Sequence, residues 1–225
     1  MKPYFERGGI VLYHGDALTI APSLSGVDAV ISDPPYGMNW DTDTTRFSGG
    51  APCSQARRGS GRKSPRVAND AEPFDPSPWL DYPRVVLFGA NHYASRLPVG
   101  TSLLWLKRLD SAFGSFLSDA EIAWMKGGCG VYCHRDLSMY GEAKNREHPC
   151  QKPVGVMAWC IERAKVPDGG TILDPFSGSG STLLAAYRME RHAIGIELDE
   201  AYCETAAKRL EREMAQGDLF RKAAP

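Results

Sequence analysis

One continuous stretch, Thr171–Glu197, constrains the fold more than any other. It opens with the apolar run Thr171-Ile172-Leu173, turns through Asp174-Pro175-Phe176-Ser177-Gly178-Ser179-Gly180-Ser181-Thr182, and enters the apolar segment Leu183-Leu184-Ala185-Ala186-Tyr187. It closes on His192-Ala193-Ile194-Gly195-Ile196-Glu197. This order reads as strand, glycine-rich turn, helix, and a second strand ending in an acid. Glycines let the turn's backbone come close to a ligand, and the start of a helix offers unpaired N–H groups to an anion. Glu197, at the end of the neighbouring strand, is placed to hold two ribose hydroxyls. The pattern asks for a nucleoside that carries an anionic group.

Two simpler assignments fail on residue identity. Counting from Gly178, the third glycine of a dinucleotide fingerprint falls on Leu183, so a nicotinamide oxidoreductase accounts for the turn poorly. A Walker phosphate loop needs Gly-Lys-Ser/Thr, and the turn has none.

A second stretch lies far upstream. The run Val27-Asp28-Ala29-Val30-Ile31-Ser32 reads as a buried strand, and Asp33-Pro34-Pro35-Tyr36 stops it. Neither proline donates a backbone hydrogen bond, and each restricts the residue before it. The carbonyls are thereby fixed beside a carboxylate and an aromatic ring. Such a set suits a planar substrate bearing an amino group, whose N–H protons go to the carboxylate and a carbonyl while the ring stacks on its face. The combination leaves a nicotinamide enzyme with an idle motif. A binding module that has lost catalysis would be expected to show decay at Asp33, Tyr36 or Gly178, and all three are intact.

Elsewhere the chain is less explicit. Gly9–His14 reads as a strand followed by Gly15-Asp16-Ala17, where Asp16 either accepts from an exocyclic amine of a ligand or caps a short helix. Arg84–Gly89, Ser102–Leu106 and Ala120–Met125 read as strands. Asn91–Leu97 reads as a short helix stopped by Pro98, and Val154–Lys165 as a helix with Met157, Ile161 and Ala164 on one face. The stretch from Gly127 to Pro149 is polar and irregular.

Between Thr44 and Asn69 there is no acidic residue, but Arg46, Arg57, Arg58, Arg62, Lys63 and Arg66 stand among glycine, serine and proline. With a net charge of −1 over 225 residues, any nucleic-acid surface is local, and this segment supplies one. We expect residues 40–72 to form a basic, flexible insertion that contacts DNA, and residues 108–147 a variable region suited to target recognition, within a single domain over 1–225.

Met1–Arg7 lacks an apolar core and no run reaches transmembrane length, so no membrane association is expected and the expected location is the cytoplasm. The six cysteines follow no framework and read as free thiols. A zinc site from Cys129, Cys133, His134, His148 and Cys150 lacks a second close pair of ligands, and no metal is expected.

In this order, Asp33-Pro34-Pro35-Tyr36, His148-Pro149-Cys150-Gln151-Lys152-Pro153 and Asp174–Gly180 resemble the β-class DNA amino-methyltransferases, in which the catalytic motif precedes the cofactor motif. Small phage or prophage adenine-N6 enzymes are the nearest in pattern. Cys150 and Ser181 stand where that pattern often has threonine.

The resemblance implies an α/β fold: a permuted, Rossmann-like, mostly parallel seven-stranded sheet with helices on both faces. It implies S-adenosylmethionine as cofactor and double-stranded DNA as partner, and leaves a homodimer open. The catalytic set is then Asp33, Pro34, Pro35 and Tyr36. Cofactor contacts fall on Asp16, Ala17, Asp33, Lys152, Asp174, Phe176, Ser177, Gly178, Ser179, Gly180, Ser181, Thr182, Glu197 and Leu198. Of these, Phe176 would lie on the adenine, Glu197 on the ribose and Asp16 at the adenine amine, while Lys152 would serve the methionine end.

The expected reaction is methyl transfer to the N6 amine of an adenine flipped out of the duplex. Cytosine-N4 and RNA adenine are the alternatives. No Pro-Cys pair stands at the catalytic turn, so cytosine-C5 chemistry is not indicated.

Overall fold

The computed structural model describes residues 2–38, 72–114, 118–138 and 151–222, with side chains through residue 216. The basic segment containing Arg46, Arg57, Arg58, Arg62, Lys63 and Arg66 lies outside the described residues, as do His148 and Cys150.

Eight strands form one sheet. They are β1 (Phe5–Arg7), β2 (Ile10–His14), β3 (Ala29–Ser32), β4 (Val85–Phe88), β5 (Gly100–Leu106), β6 (Ala120–Arg135), β7 (Thr171–Asp174) and β8 (His192–Glu197). Their order across the sheet is β1-β2-β8-β7-β3-β4-β6-β5. From β2 to β4 every pairing is parallel, while β1 joins β2 and β6 joins β4 antiparallel. The sheet has one strand more than expected. The addition is β1, which the polar sequence Phe5-Glu6-Arg7 does not announce.

The parallel strands are apolar because both of their faces are covered. All four residues of β3 and of β4 are buried. Ile31, Val86 and Phe88 point into the layer made by α2 (Val154–Arg163), α3 (Ser181–Arg188) and α4 (Glu200–Lys222). Val30, Val85 and Leu87 point the other way, onto α1 (Ala17–Ile20) and a layer containing Phe74, Trp79 and Tyr93. Helical segments thus cover both faces unequally, with the three longer helices on one side.

Three local readings change. Asn91–Leu97 is not a helix but two single 3₁₀ turns, Ala90–His92 and Ala94–Arg96, and α2 ends at Arg163 rather than Lys165. The irregular stretch after Gly127 instead continues β6. Thr101 pairs with Met125 and Leu106 with Ala120, an antiparallel register, whereas Ser102 pairs with Val131 and Leu106 with Arg135, a parallel one. The long strand therefore bends round the start of β5 and flanks it on both edges. Gly127 and Gly128, both at positive φ, make that bend.

Candidate active site

The ends of β3 and β7 lie side by side, since these strands pair in parallel at Ala29↔Ile172 and Val30↔Leu173. The Ser32 hydroxyl donates to Asp174 Oδ1 at 2.5 Å, tying the two strand ends together. Each strand then enters one of the two turns singled out in the sequence.

At the first turn, Asp33 is held through both oxygens. The Tyr36 hydroxyl donates to Oδ1 and the Lys152 ammonium to Oδ2. Lys152 Nζ also lies 3.2 Å from the Tyr36 oxygen, 2.9 Å from Glu121 Oε2 and 5.1 Å from the centre of the Phe88 ring. Glu121 turns its other oxygen to Lys107 Nζ at 2.8 Å. Four charges therefore alternate in sign: Asp33, Lys152, Glu121, Lys107. With its side chain only 8% exposed, Lys152 is shut away from water, where an unpaired ammonium would be very costly.

The protonation states follow from this packing. Burial alone would depress the Lys152 ammonium, but Asp33 and Glu121 hold it well above the ordinary lysine value. Burial pushes the Asp33 carboxyl above its usual range against the pull of Lys152. Burial also acts upward on Glu121, yet the two lysines outweigh it and set the carboxyl at about 2. The Tyr36 phenol, buried beside Asp33, is raised well above its ordinary value and stays a donor.

Tyr36 is seated by its surroundings. Its ring stacks on His92 at 5.1 Å between centroids and 9° between planes. Gly89 lies against the same ring, where a Cβ would come within 2.1 Å of Cε1, so no other residue fits there. Its φ of +73° asks for glycine independently.

The carboxylates of the second turn are held by neutral donors. Asp174 is buried and accepts from the Ser32 and Thr182 hydroxyls and the Phe176 amide. Burial raises its carboxyl to about 6. Glu197 accepts from the Gly178 amide and the Asp199 amide, both at 2.8 Å, and burial raises it too. Gly178 and Gly180 adopt φ of +49° and +80°, and open space lies where a Cβ of Gly178 would stand. Phe176 meets Phe74 and Trp79 edge-on, both at 5.7 Å, which gives an aromatic wall beside the Glu197 carboxylate. An acid at a strand end, an aromatic wall and an open glycine turn together fit a nucleoside with a charged tail. Arg209 of α4 donates to the Ser179 carbonyl and, at 3.0 Å, to its hydroxyl, fastening the turn from behind.

Other residues singled out in the sequence occupy varied places. Asp16 caps α1, accepting from the Thr19 amide at 3.2 Å and its hydroxyl at 2.8 Å. Ala17 is buried at the start of that helix, and the carbonyl of the exposed Leu198 contacts His14 Nε2 at 3.1 Å. Lys152, expected at the cofactor's methionine end, pairs with the carboxylate of the first turn. Ser177 bonds its amide and hydroxyl to the Ile196 carbonyl, while Ser181 faces Arg209. Glu121, Lys107, His92, Gly89 and Ser32 belong to the site and carried no motif of their own. Among the described residues no group of three or more His, Cys, Asp or Glu is arranged to hold a metal, and no helix is long and apolar enough to cross a membrane.

Comparison with known proteins yields a consistent set. A family model described as DNA methylase, of the N6/N4 kind, matches residues 104–208, a span containing Lys152, the glycine turn and Glu197 but not Asp33–Tyr36. The type II methyltransferase M.ScaI of Streptomyces caespitosus is 27% identical over 268 aligned positions, covering 94% of this chain and 84% of that protein. The putative methylase YubD of Escherichia coli K12 is 46% identical over a shorter stretch, 32% of this chain and 33% of its own length. Among solved structures, the M1.HpyAVI–SAM complex superposes with a TM-score of 0.57 at 22% identity, over 89% of this chain and 99% of that one. The cytosine-N4-specific PvuII DNA methyltransferase also reaches 0.57, at 14% identity, over 92% and 88%. These two show the same fold.

Proposed function

We propose that the chain is a DNA methyltransferase of the N6/N4 DNA methylase kind, and that it methylates the N6 amine of adenine in duplex DNA. One observation supports this reading: the Ser32–Asp174 bond holds the Asp33–Tyr36 turn beside the Asp174–Thr182 turn at adjacent strand ends.

S-adenosylmethionine, when bound, supplies a sulfonium methyl group as the electrophile. The residues of the second turn fit it. Glu197 would take the ribose hydroxyls, Phe176 the adenine face, and the backbone of Ser177–Thr182 the methionine end, with Asp16, Ala17 and Leu198 at the rim of the same crevice.

The first turn acts on the base. An aromatic amine is a weak nucleophile because its lone pair is delocalised into the ring. Asp33 and the Pro34 carbonyl accept its two N–H protons and turn the lone pair out of conjugation, while Pro35 keeps the turn rigid. Tyr36 offers a stacking face worth about 1–3 kcal/mol for a base taken out of the helix. Rate enhancement then comes from positioning and electrostatics.

The choice of adenine over cytosine-N4 rests on Asp33. In the resembling enzymes aspartate at that place more often accompanies adenine, and serine cytosine-N4. The test is to methylate DNA with labelled cofactor, digest it to nucleosides and identify the labelled one by mass. N6-methyladenine is the expected product. N4-methylcytosine alone would reverse the choice of base and leave the family and cofactor standing.

The basic segment is the proposed grip on the phosphate backbone, in the cytoplasm. Deleting Gly49–Ser64 removes Arg57, Arg58, Arg62 and Lys63. It should lower the slope of log affinity against log salt by roughly 0.9 for each phosphate that is no longer neutralised. An unchanged slope would rule the segment out as a DNA-binding element.

A further inference from the structure

The alternating charges behind the first turn do more than fill buried space. Asp33 must accept an N–H of the target amine, yet both of its oxygens already carry a donor, the Tyr36 hydroxyl and the Lys152 ammonium. Each oxygen keeps a second lone pair, so the amine still has a place. How well Asp33 accepts depends on how hard Lys152 leans on it. The same Nζ is shared with Glu121 at 2.9 Å, and Glu121 is shared in turn with Lys107 at 2.8 Å.

We propose that Glu121, with Lys107 behind it, is a positioning residue that sets how firmly Lys152 holds Asp33 and so tunes Asp33 as the acceptor for the target amine. The role of Asp33 rests on the proposed function, but the charge relay does not. Glu121 comes from the first leg of β6 and Lys107 follows the last residue of β5, so the antiparallel register of those strands brings the pair together.

The alternation fixes the sign of each effect. Removing the Glu121 charge leaves Lys152 with Asp33 alone, strengthens that pair and weakens Asp33 as an acceptor. Removing the Lys107 charge frees Glu121 to pull Lys152, loosening its hold on Asp33. Adjacent links in the chain therefore push Asp33 in opposite directions. The other groups that bear on Asp33 are Tyr36 beside it, Tyr93, and Asp174 across the β3–β7 pairing. All three are common to the variants compared, so a difference between variants isolates the relay.

The experiment compares wild type, Glu121→Gln and Lys107→Gln. Lys107 is partly exposed, and a glutamine there has little to disturb. Two readouts are taken: the pH profile of kcat/KM for DNA, and the titration of the Asp33 carboxyl followed by carbon NMR in protein without substrate. In Glu121→Gln the acid limb and the NMR midpoint should both fall, by about one pH unit, with the plateau rate down about tenfold. In Lys107→Gln both should rise, by about half a unit. A cluster that holds the strands together but does not bear on Asp33 would lower stability in both variants and scale the rate without moving either midpoint.

Midpoints that stay put, or that move in the same direction in the two variants, overturn the proposal. Where Glu121→Gln fails to fold, Lys107→Gln decides alone, since an upward shift supports the relay and no shift refutes it. A wild type that transfers no methyl group to DNA would sink the proposed function, while the NMR midpoints would still judge the relay.

Discussion

The two turns at the ends of β3 and β7 are neighbours built on opposite principles. The first is stiffened by prolines and surrounded by full charges, with Asp33 facing Lys152 and Glu121 facing two lysines. The second is bent by glycines and its carboxylates are held by neutral donors, with Asp174 on two hydroxyls and an amide and Glu197 on two amides. The difference matches the tasks proposed for them. A side that must reshape the electron density of an amine needs a directed field that does not relax. A side that must close on a ligand needs backbone close to it and a carboxylate whose existing partners are weak enough to leave it free to accept hydroxyls. One consequence is visible in acidity: Glu121 is driven down to about 2, whereas Asp174 rises to about 6.

The sharpest way to break the comparison is at Asp33. Asp33→Ala should cost on the order of a thousandfold in methyl transfer, about 4 kcal/mol, because the hydrogen bond proposed for it to the amine would be strongest in the transition state. The cofactor should still bind with nearly unchanged affinity by calorimetry. A parallel loss of cofactor binding would show that the two turns do not divide the work.

Next in size is Lys152→Met. The variant leaves Asp33 and Glu121 buried without their shared cation, and breaking such a set costs about 3 kcal/mol or more of stability. A urea midpoint matching wild type would mean that the charges are solvated and the first turn is not held by them.

The second turn responds to pH instead. Asp174 has a folded value near 6, above the ordinary carboxylate range, so its contribution favours the folded state at low pH and is lost as pH rises through about 6. Between pH 4 and 6.5 this amounts to about 2 kcal/mol, and Asp174→Asn should flatten that part of the stability curve. Glu121, depressed to about 2, has the opposite sign and a lower window, losing its contribution only as pH falls below about 4. Urea denaturation across this range separates the two. A curve that keeps its slope in Asp174→Asn would remove the contrast in acidity.

The smallest effects concern ligand affinity. Phe176→Ala and Glu197→Ala should each weaken S-adenosylmethionine about tenfold, near 1.4 kcal/mol, while sparing the rate at saturation. Wild-type affinity in both would move the cofactor away from the aromatic wall.

Much of this division was legible in the sequence because each turn is continuous and follows an apolar run. Asp33–Tyr36 and Asp174–Thr182 announce themselves by prolines and glycines at the ends of strands, where residue identity and backbone geometry are tightly linked. Glu197 is legible for the same reason. Glu121 and Lys107 are not, for a glutamate near the start of a strand and a lysine after the end of another are ordinary in isolation. Only the register of β6 against β5 and β4 turns them into a pair facing Lys152. Asp16 shows a different limit, since cap and ligand contact use the same carboxylate and the sequence weighs them equally. The segment after Gly89 reads as a helix by composition, but the left-handed Gly89 and the stacking of His92 on Tyr36 hold it in single turns.

The bond between Ser32 and Asp174 joins residues 142 positions apart, and β3 has one edge against β4 and the other against β7. Time enters the architecture here. As synthesis proceeds from the N-terminus, β3 emerges with the Asp33–Tyr36 turn already written, but the strand that completes its second edge follows much later. Pairings this distant in sequence form slowly, because a long loop must close before they give any return. Until then the apolar β3 offers an open edge, the kind of surface on which unfinished chains stick to one another. Variants that slow the arrival of β7, at Ile172 or Leu173 for example, should therefore lower the yield of soluble protein more than they lower the activity of the molecules that finish folding.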